Sequence, residues 1–111
     1  MMDCLFCAIV AGEIPAEVVA RTDDVVAFRD IAPKAPVHVL VVPVAHYPNV
    51  AALAAAAPEV LAEMAAVAQS VADDECGGQF RWIFNTGAEA GQSVFHAHGH
   101  VMNAGSLGWE A

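Results

Sequence analysis

Positive charge is scarce. Only Arg21, Arg29, Lys34 and Arg81 carry it, against thirteen Asp and Glu, for a formal net charge of −9 over 111 residues. That excludes a groove for polymeric nucleic acid, which needs clustered Lys and Arg. One small phosphorylated ligand stays possible, because backbone N–H groups, hydroxyls and imidazoles can hold a single phosphate. Long apolar runs are missing too. The longest, "VAALAAAA" from Val50 and "VLVVPVA" from Val39, fall well short of the ~20 residues of a membrane span. No basic region precedes an apolar stretch in "MMDCLFC", so no signal peptide is expected. Three cysteines are an odd number, and two of them sit three positions apart. A disulfide framework is thereby disfavoured and a reducing cytoplasm expected. Bulky side chains are also few, since much of the 58% hydrophobic content is alanine. The chain reads as one domain over residues 1–111, ordered but with little core area to spare. A second copy of the chain would supply more.

The pass along the chain finds no internal repeat. "CLFCAIVAGEIPA" reads as a short helix or turn stopped by Gly12 and Pro15. "EVVART" and "VVAFRD" read as strands around a turn at Asp23-Asp24. "APKAP" is a loop, and the β-branched "VHVLVVPV" a central strand ended near Pro43. From Pro58 the apolar period becomes helical, through Val60, Leu61, Met64, Val67, Ala68 and Val71, until Gly77-Gly78. "FRWIFN" reads as a strand, "TGAEAGQ" as a loop and "SVFHAHGHVM" as a final strand, with an aperiodic tail beyond. The sum is an α+β fold: an antiparallel sheet, one main helix and a short N-terminal helix.

Three of the five histidines, His96, His98 and His100, stand at alternate positions. On a strand they share a face, and at ~3.3 Å per residue the outer two lie roughly 13 Å apart. One metal cannot take all three, but the row can serve two jobs. Imidazole can be nucleophile, proton donor or acceptor near neutral pH. His38 would lie beside the row if its strand is a neighbour.

"DCLFC" carries Cys4 and Cys7 in a C-x2-C spacing with no second such pair. Structural zinc wants four N or S ligands, and His46 with His96 would close a Cys2His2 set. A redox pair or two buried thiols are the rival readings; the redox reading wants a βαβ setting. In "NTGAEAGQS", Gly87 and Gly91 permit close backbone approach, and Asn85, Gln92 and Ser93 offer neutral donors. A phosphoryl transition state here would be met by N–H groups and imidazoles rather than by a fixed cation. Asp30 in "FRDI" could accept ribose hydroxyls, or simply form a turn.

Taken together, "CLFCAIVAGEIPAEVVARTDDVVAFRDIAPKAPVHVLVVPVAH" and "FNTGAEAGQSVFHAHGHV" resemble the histidine-triad (HIT) family, close to its Hint branch and its zinc-bearing variant. The resemblance implies a homodimer with joined sheets and a purine nucleotide, an AMP or GMP derivative, in each cleft. It implies His98 as nucleophile on the α-phosphorus, His100 at the phosphate and leaving group, and His38 in support. Asn85, Gly91, Gln92 and Ser93 would contact phosphate, Asp30 and Ile31 the ribose and base, and Cys4, Cys7, His46 and His96 structural zinc. The implied activity is hydrolysis of nucleoside phosphoramidates or related α-phosphate esters. Dinucleoside polyphosphate cleavage, or nucleotide binding with little catalysis, are the alternatives. The chain departs from the family at Ala97 and Gly99, where bulky apolar residues are usual, and after Val101, where Met102-Asn103-Ala104-Gly105 replaces Leu-Gly-Gly-Arg. Its end, "GWEA", is also shorter than usual. Gly99 is expected to loosen the strand.

Overall fold

A computed structural model of the chain describes residues 4–105; the end of the tail lies outside them. The elements are α1 (Leu5–Val10), β1 (Val18–Arg21), β2 (Val25–Arg29), β3 (Val37–Pro43), α2 (Val50–Ala56), α3 (Pro58–Cys76), β4 (Arg81–Ile83) and β5 (Gly99–Asn103). The strands form one sheet in the order β1-β2-β3-β5-β4, every pairing antiparallel. The α+β arrangement is therefore the one its patterning predicts. Among the described residues no helix is long and apolar enough to cross a membrane.

Helix α3 follows its apolar period. Pro58 occupies the first turn, and Met64, Val67, Ala68, Val71 and Ala72 are buried against the sheet. Gly77 stops the helix in the left-handed region at φ 64°, and the Gly78 N–H returns to the Ala72 carbonyl at 2.9 Å. This face of the sheet supplies Val25, Ala27, Val39, Val41 and Val101 to the main core, which Leu53 of α2 completes. Val26, Phe28, Leu40 and Val42 point the other way and pack beneath Phe6 of α1. The two-residue alternation of β2 and β3 thus feeds both faces.

Three expectations change. The alanine-rich run holds a second helix, α2, which sequence periodicity did not separate from its surroundings. The usable signal was Asn49, whose side-chain oxygen accepts the Ala52 N–H at 2.9 Å as an N-cap. The strand expected over "SVFHAHGHVM" begins only at Gly99. Pairing with β3 stops at Val41↔Gly99; upstream, the Ala97 N–H goes instead to the Tyr47 carbonyl at 2.7 Å. His96 and His98 thus precede the strand, and the three histidines do not form one strand face. "FRWIFN" likewise contributes only Arg81–Ile83, because its pairing with β5 ends at His100.

Gly99 does not loosen β5. It is buried, and a Cβ there would collide with Trp82 Nε1 and lie 2.7 Å from both Phe84 Cζ and Trp82 Cε2. The two aromatics stack edge-on at 4.7 Å and fill the space that a bulky side chain would take. Glycine here admits close packing.

Candidate active site

The segment before β5 divides its imidazoles between two places. His96, wholly buried, donates its Nε2–H to the Pro43 carbonyl at 2.8 Å. Its Nδ1 is left bare. That atom lies 3.4 Å from Cys4 Sγ, 3.5 Å from Cys7 Sγ and 3.2 Å from His46 Nδ1, with Cys7 Sγ 3.4 Å from His46 Nδ1. A tetrahedron with bonds of ~2.0–2.3 Å has edges of about 3.3–3.8 Å, so the spacing fits a metal ion. The electrostatics agree. Desolvation, then the neighbouring Cys4, pushes the Cys7 thiol up to about 11, so ionising that sulfur calls for a cation beside it. Cys4, Cys7, His46 and His96 could hold such an ion.

His98 and His100 instead face a cleft of about 700 Å³ on the α1 side of the sheet, lined also by Phe6, Phe28, Asp30 and Ser93. Their ring centroids are 5.0 Å apart. The His98 Nδ1–H donates to the His96 carbonyl at 2.7 Å, which leaves Nε2 with its lone pair. His100 carries the opposite tautomer. The Lys34 N–H donates to His38 Nδ1 at 2.9 Å, so neutral His38 bears its proton on Nε2. That proton goes to His100 Nδ1 at 2.9 Å, and His100 must then carry its own on Nε2. One ring of the pair offers an acceptor and the other a donor.

Burial pushes the pKa values of His38 and His98 below the usual histidine range. Burial, then the neighbouring His98 and His38, pushes His100 down to about 4. All three are therefore neutral at pH 7. Asp30 stands at the same spot, its Oδ2 3.4 Å from His38 Nε2 and its Oδ1 accepting the Ala32 N–H at 2.8 Å. Asp30, His38 and His100 also converge closely enough for a metal. Here, however, the facing nitrogens already share a proton, whereas His96 presents a bare one.

The other expected nucleotide contacts separate. Asp30, Ile31 and Ser93 line the cleft, with Ile31 fully exposed. Asn85, Gly91 and Gln92 do not line it. Gln92 is buried; its amide donates to the Pro48 and Val94 carbonyls at 2.6 and 3.1 Å, and its oxygen accepts the Gly87 N–H at 2.9 Å. The Asn85 amide donates to Ala90 at 2.9 Å. The Gly91 and Gln92 N–H groups close turns onto Ala88 and Gly87. This loop spends its donors on its own shape and delivers Ser93 to the cleft. The cation lining the cleft, Arg29, is held by Glu17 and, bidentate, by Glu75 at 2.8–2.9 Å. Sequence reasoning missed Phe6, whose ring meets His98 edge-on at 4.9 Å; its place inside C-x2-C was the available signal.

The family profile described as "Scavenger mRNA decapping enzyme C-term binding" matches residues 3–109. The chain is 42% identical over 111 residues to an uncharacterised HIT-like protein of Synechocystis, covering 96% of this chain and 95% of that one. It is 37% identical over 108 residues to the purine nucleoside phosphoramidase of Escherichia coli K12, at 96% and 91% coverage. Among solved structures, a HIT family hydrolase of Clostridium thermocellum superposes with a TM-score of 0.91 at 35% identity, covering 99% of this chain and 97% of that one. With its strand order, its paired imidazoles and these likenesses, the chain belongs to the histidine-triad (HIT) family.

Proposed function

We propose that this protein is a nucleotidyl hydrolase of the Hint branch, cleaving purine nucleoside phosphoramidates or related α-phosphate esters. The observation that carries this reading is the opposed pair of tautomers in the cleft. The His98 Nε2 lone pair attacks the α-phosphorus, the bond from phosphorus to the amine breaks, and the amine leaves with a proton from solvent. The charge gained by the imidazole is met by the His96 carbonyl at Nδ1–H. The His100 Nε2–H and the Ser93 hydroxyl donate to the phosphoryl oxygens, so stabilisation comes from neutral donors, with Arg29 already tied to carboxylates. Water then attacks phosphorus, the P–N bond returns its electron pair to His98, and the nucleoside monophosphate departs with a proton released to solvent. Asp30 and Ile31 face the ribose and base. Similarity to the Escherichia coli phosphoramidase supports this substrate class.

Zinc is the ion that two thiolates and two imidazoles suit; Cys4, Cys7, His46 and His96 would hold it in a structural role. Two copies join their sheets edge to edge. Strand β4 lies at one edge of the sheet, beside β5 alone among the described strands, and a sheet edge can pair with a second copy. Light scattering is expected to give twice the chain mass; a monomer at micromolar concentration contradicts it.

The function is tested with adenosine 5′-phosphoramidate, by following AMP release and, after a quench in alkaline denaturant that preserves a phosphorus–imidazole bond, the mass of one adenylyl group on the chain. Turnover requires neutral His98. Because its pKa is lowered, protonation sets in below the usual histidine value of ~6.5. The value of kcat/KM is therefore expected to hold level from pH 8 to about 6.5 and to fall only further into acid. No AMP above the spontaneous rate at any pH overturns the reading.

A further inference from the structure

We propose that His96 and Phe6 are positioning residues that make cleft affinity and nucleophile orientation depend on the metal centre. His96 belongs to both places at once. Its ring presents Nδ1 to the two thiols and is pinned by Pro43, while its main-chain oxygen accepts the 2.7 Å hydrogen bond that fixes His98. Displacing the ring moves the carbonyl two bonds from its Cα, and the His98 tautomer with it. Phe6 makes the second link. It sits between the two cysteines on α1, its ring 4.9 Å from that of His98, 6.0 Å from that of His96 and 5.5 Å from that of Phe28.

Helix α1 is six residues long, too short to hold its shape alone. Yet Leu5, Phe6 and Ile9 form one wall of the cleft. What ties α1 down is the packing of Phe6 and Ile9 on the second core, the Arg21 hydrogen bond to the Val10 carbonyl at 3.3 Å, and the cysteines that begin and bisect its first turn. A cation shared by Cys4, Cys7, His46 and His96 clamps that wall over the nucleophile. Without it, only weak thiol–imidazole contacts of 3.4–3.5 Å join α1 to His46 and His96, and the wall is held less firmly. Binding at two sites that share one mobile element is linked, and the linkage is reciprocal.

The coupling to nucleotide rests on reading the cleft as a nucleotide site, so the test has an arm that needs no nucleotide. Zinc-loaded protein, carrying one equivalent by elemental analysis, is compared with chelator-treated protein whose circular dichroism shows an intact sheet. AMP is expected to bind about tenfold more weakly to the metal-free form, and saturating AMP to tighten zinc by the same factor. Equal AMP affinity in the two forms overturns the proposal. In nitrogen-15 spectra without ligand, the His98 Nδ1–H resonance is expected to be protected with zinc and lost to exchange without it. An unchanged resonance overturns the proposal whatever AMP does. Failure of both forms to bind AMP, with the resonance still lost on zinc removal, upholds the positioning role and removes the nucleotide reading. His46→Ala gives a milder variant, since His46 is exposed and outside the cleft. At limiting zinc it is expected to lose AMP affinity about tenfold, and at saturating zinc to regain it; no loss at limiting zinc counts against the coupling.

Discussion

His98→Ala is expected to lower the turnover of adenosine 5′-phosphoramidate by about 10⁴-fold or more, while changing AMP affinity only a few-fold. The contrast follows from what His98 does and does not touch. Its Nδ1 is committed to the His96 carbonyl, so the ring offers the cleft one bare nitrogen, Nε2, the proposed nucleophile. Removing it deletes the covalent step. The donors proposed for the phosphate, His100 and Ser93, remain, and the apolar wall is kept by Phe6, Phe28 and Leu40. The variant should also fail to acquire the adenylyl mass after alkaline quench. Near-normal kcat would move the nucleophile elsewhere. Loss of AMP affinity in proportion to kcat would mean that the ring holds the ligand rather than attacking it. His98 packs edge-on against Phe6, so circular dichroism must first show the fold retained.

Gly99→Ala is expected to cost about 3 kcal/mol of unfolding free energy, at the upper end for overpacking. For a chain of this length that is a fall of roughly 10–20 °C in Tm. The added methyl has no empty direction to enter, because the Trp82 indole and the Phe84 ring already occupy it. Trp82 is itself strained in the hydrogen-bonding sense: among the described residues its buried Nε1–H has no acceptor, a cost of about 1–3 kcal/mol. That a donor is left orphaned where it closes over a glycine shows how tightly the two are matched. The check is a double-mutant cycle. Trp82→Leu removes the indole atoms that the methyl would strike and leaves Phe84 Cζ at 2.7 Å as the remaining close contact, so in that background Gly99→Ala is expected to cost about 1–2 kcal/mol. An equal cost in both backgrounds would place the strain away from the indole.

Where the chain could be read, it was read from local repetition and from residue chemistry. The 3–4 spacing from Val60 to Val71, bracketed by Pro58 and Gly77, is sufficient for α3. The β-branched run into Pro43 is sufficient for β3, and Asp23-Asp24 for the β1–β2 turn. The types of group at the site were legible too, since two thiols and five imidazoles in an acidic chain leave few chemistries. The limits were equally physical. A strand ends where its pairing does, so β5 starts at Gly99 because the Ala97 N–H turns from β3 to the Tyr47 carbonyl, which its own alternating pattern cannot show. A loop side chain is useful to a ligand only if the fold has not spent it, and Gln92 and Asn85 are spent on carbonyls that the local sequence does not reveal.

Residue types, spacings and charge balance thus determined, without coordinates, the fold class, the main elements and the inventory of reactive groups, because those follow from steric period and side-chain chemistry along the chain. Only the folded arrangement decided which nitrogen of each imidazole is bare, which donors remain for a ligand, and why Gly99 must be glycine. Several of these depend on an atom far away in sequence: His38 Nε2 for His100, the Pro43 carbonyl for His96, the Trp82 indole for Gly99. A proton's position and a cavity's occupant are properties of contacts, and contacts exist only once the chain has closed on itself.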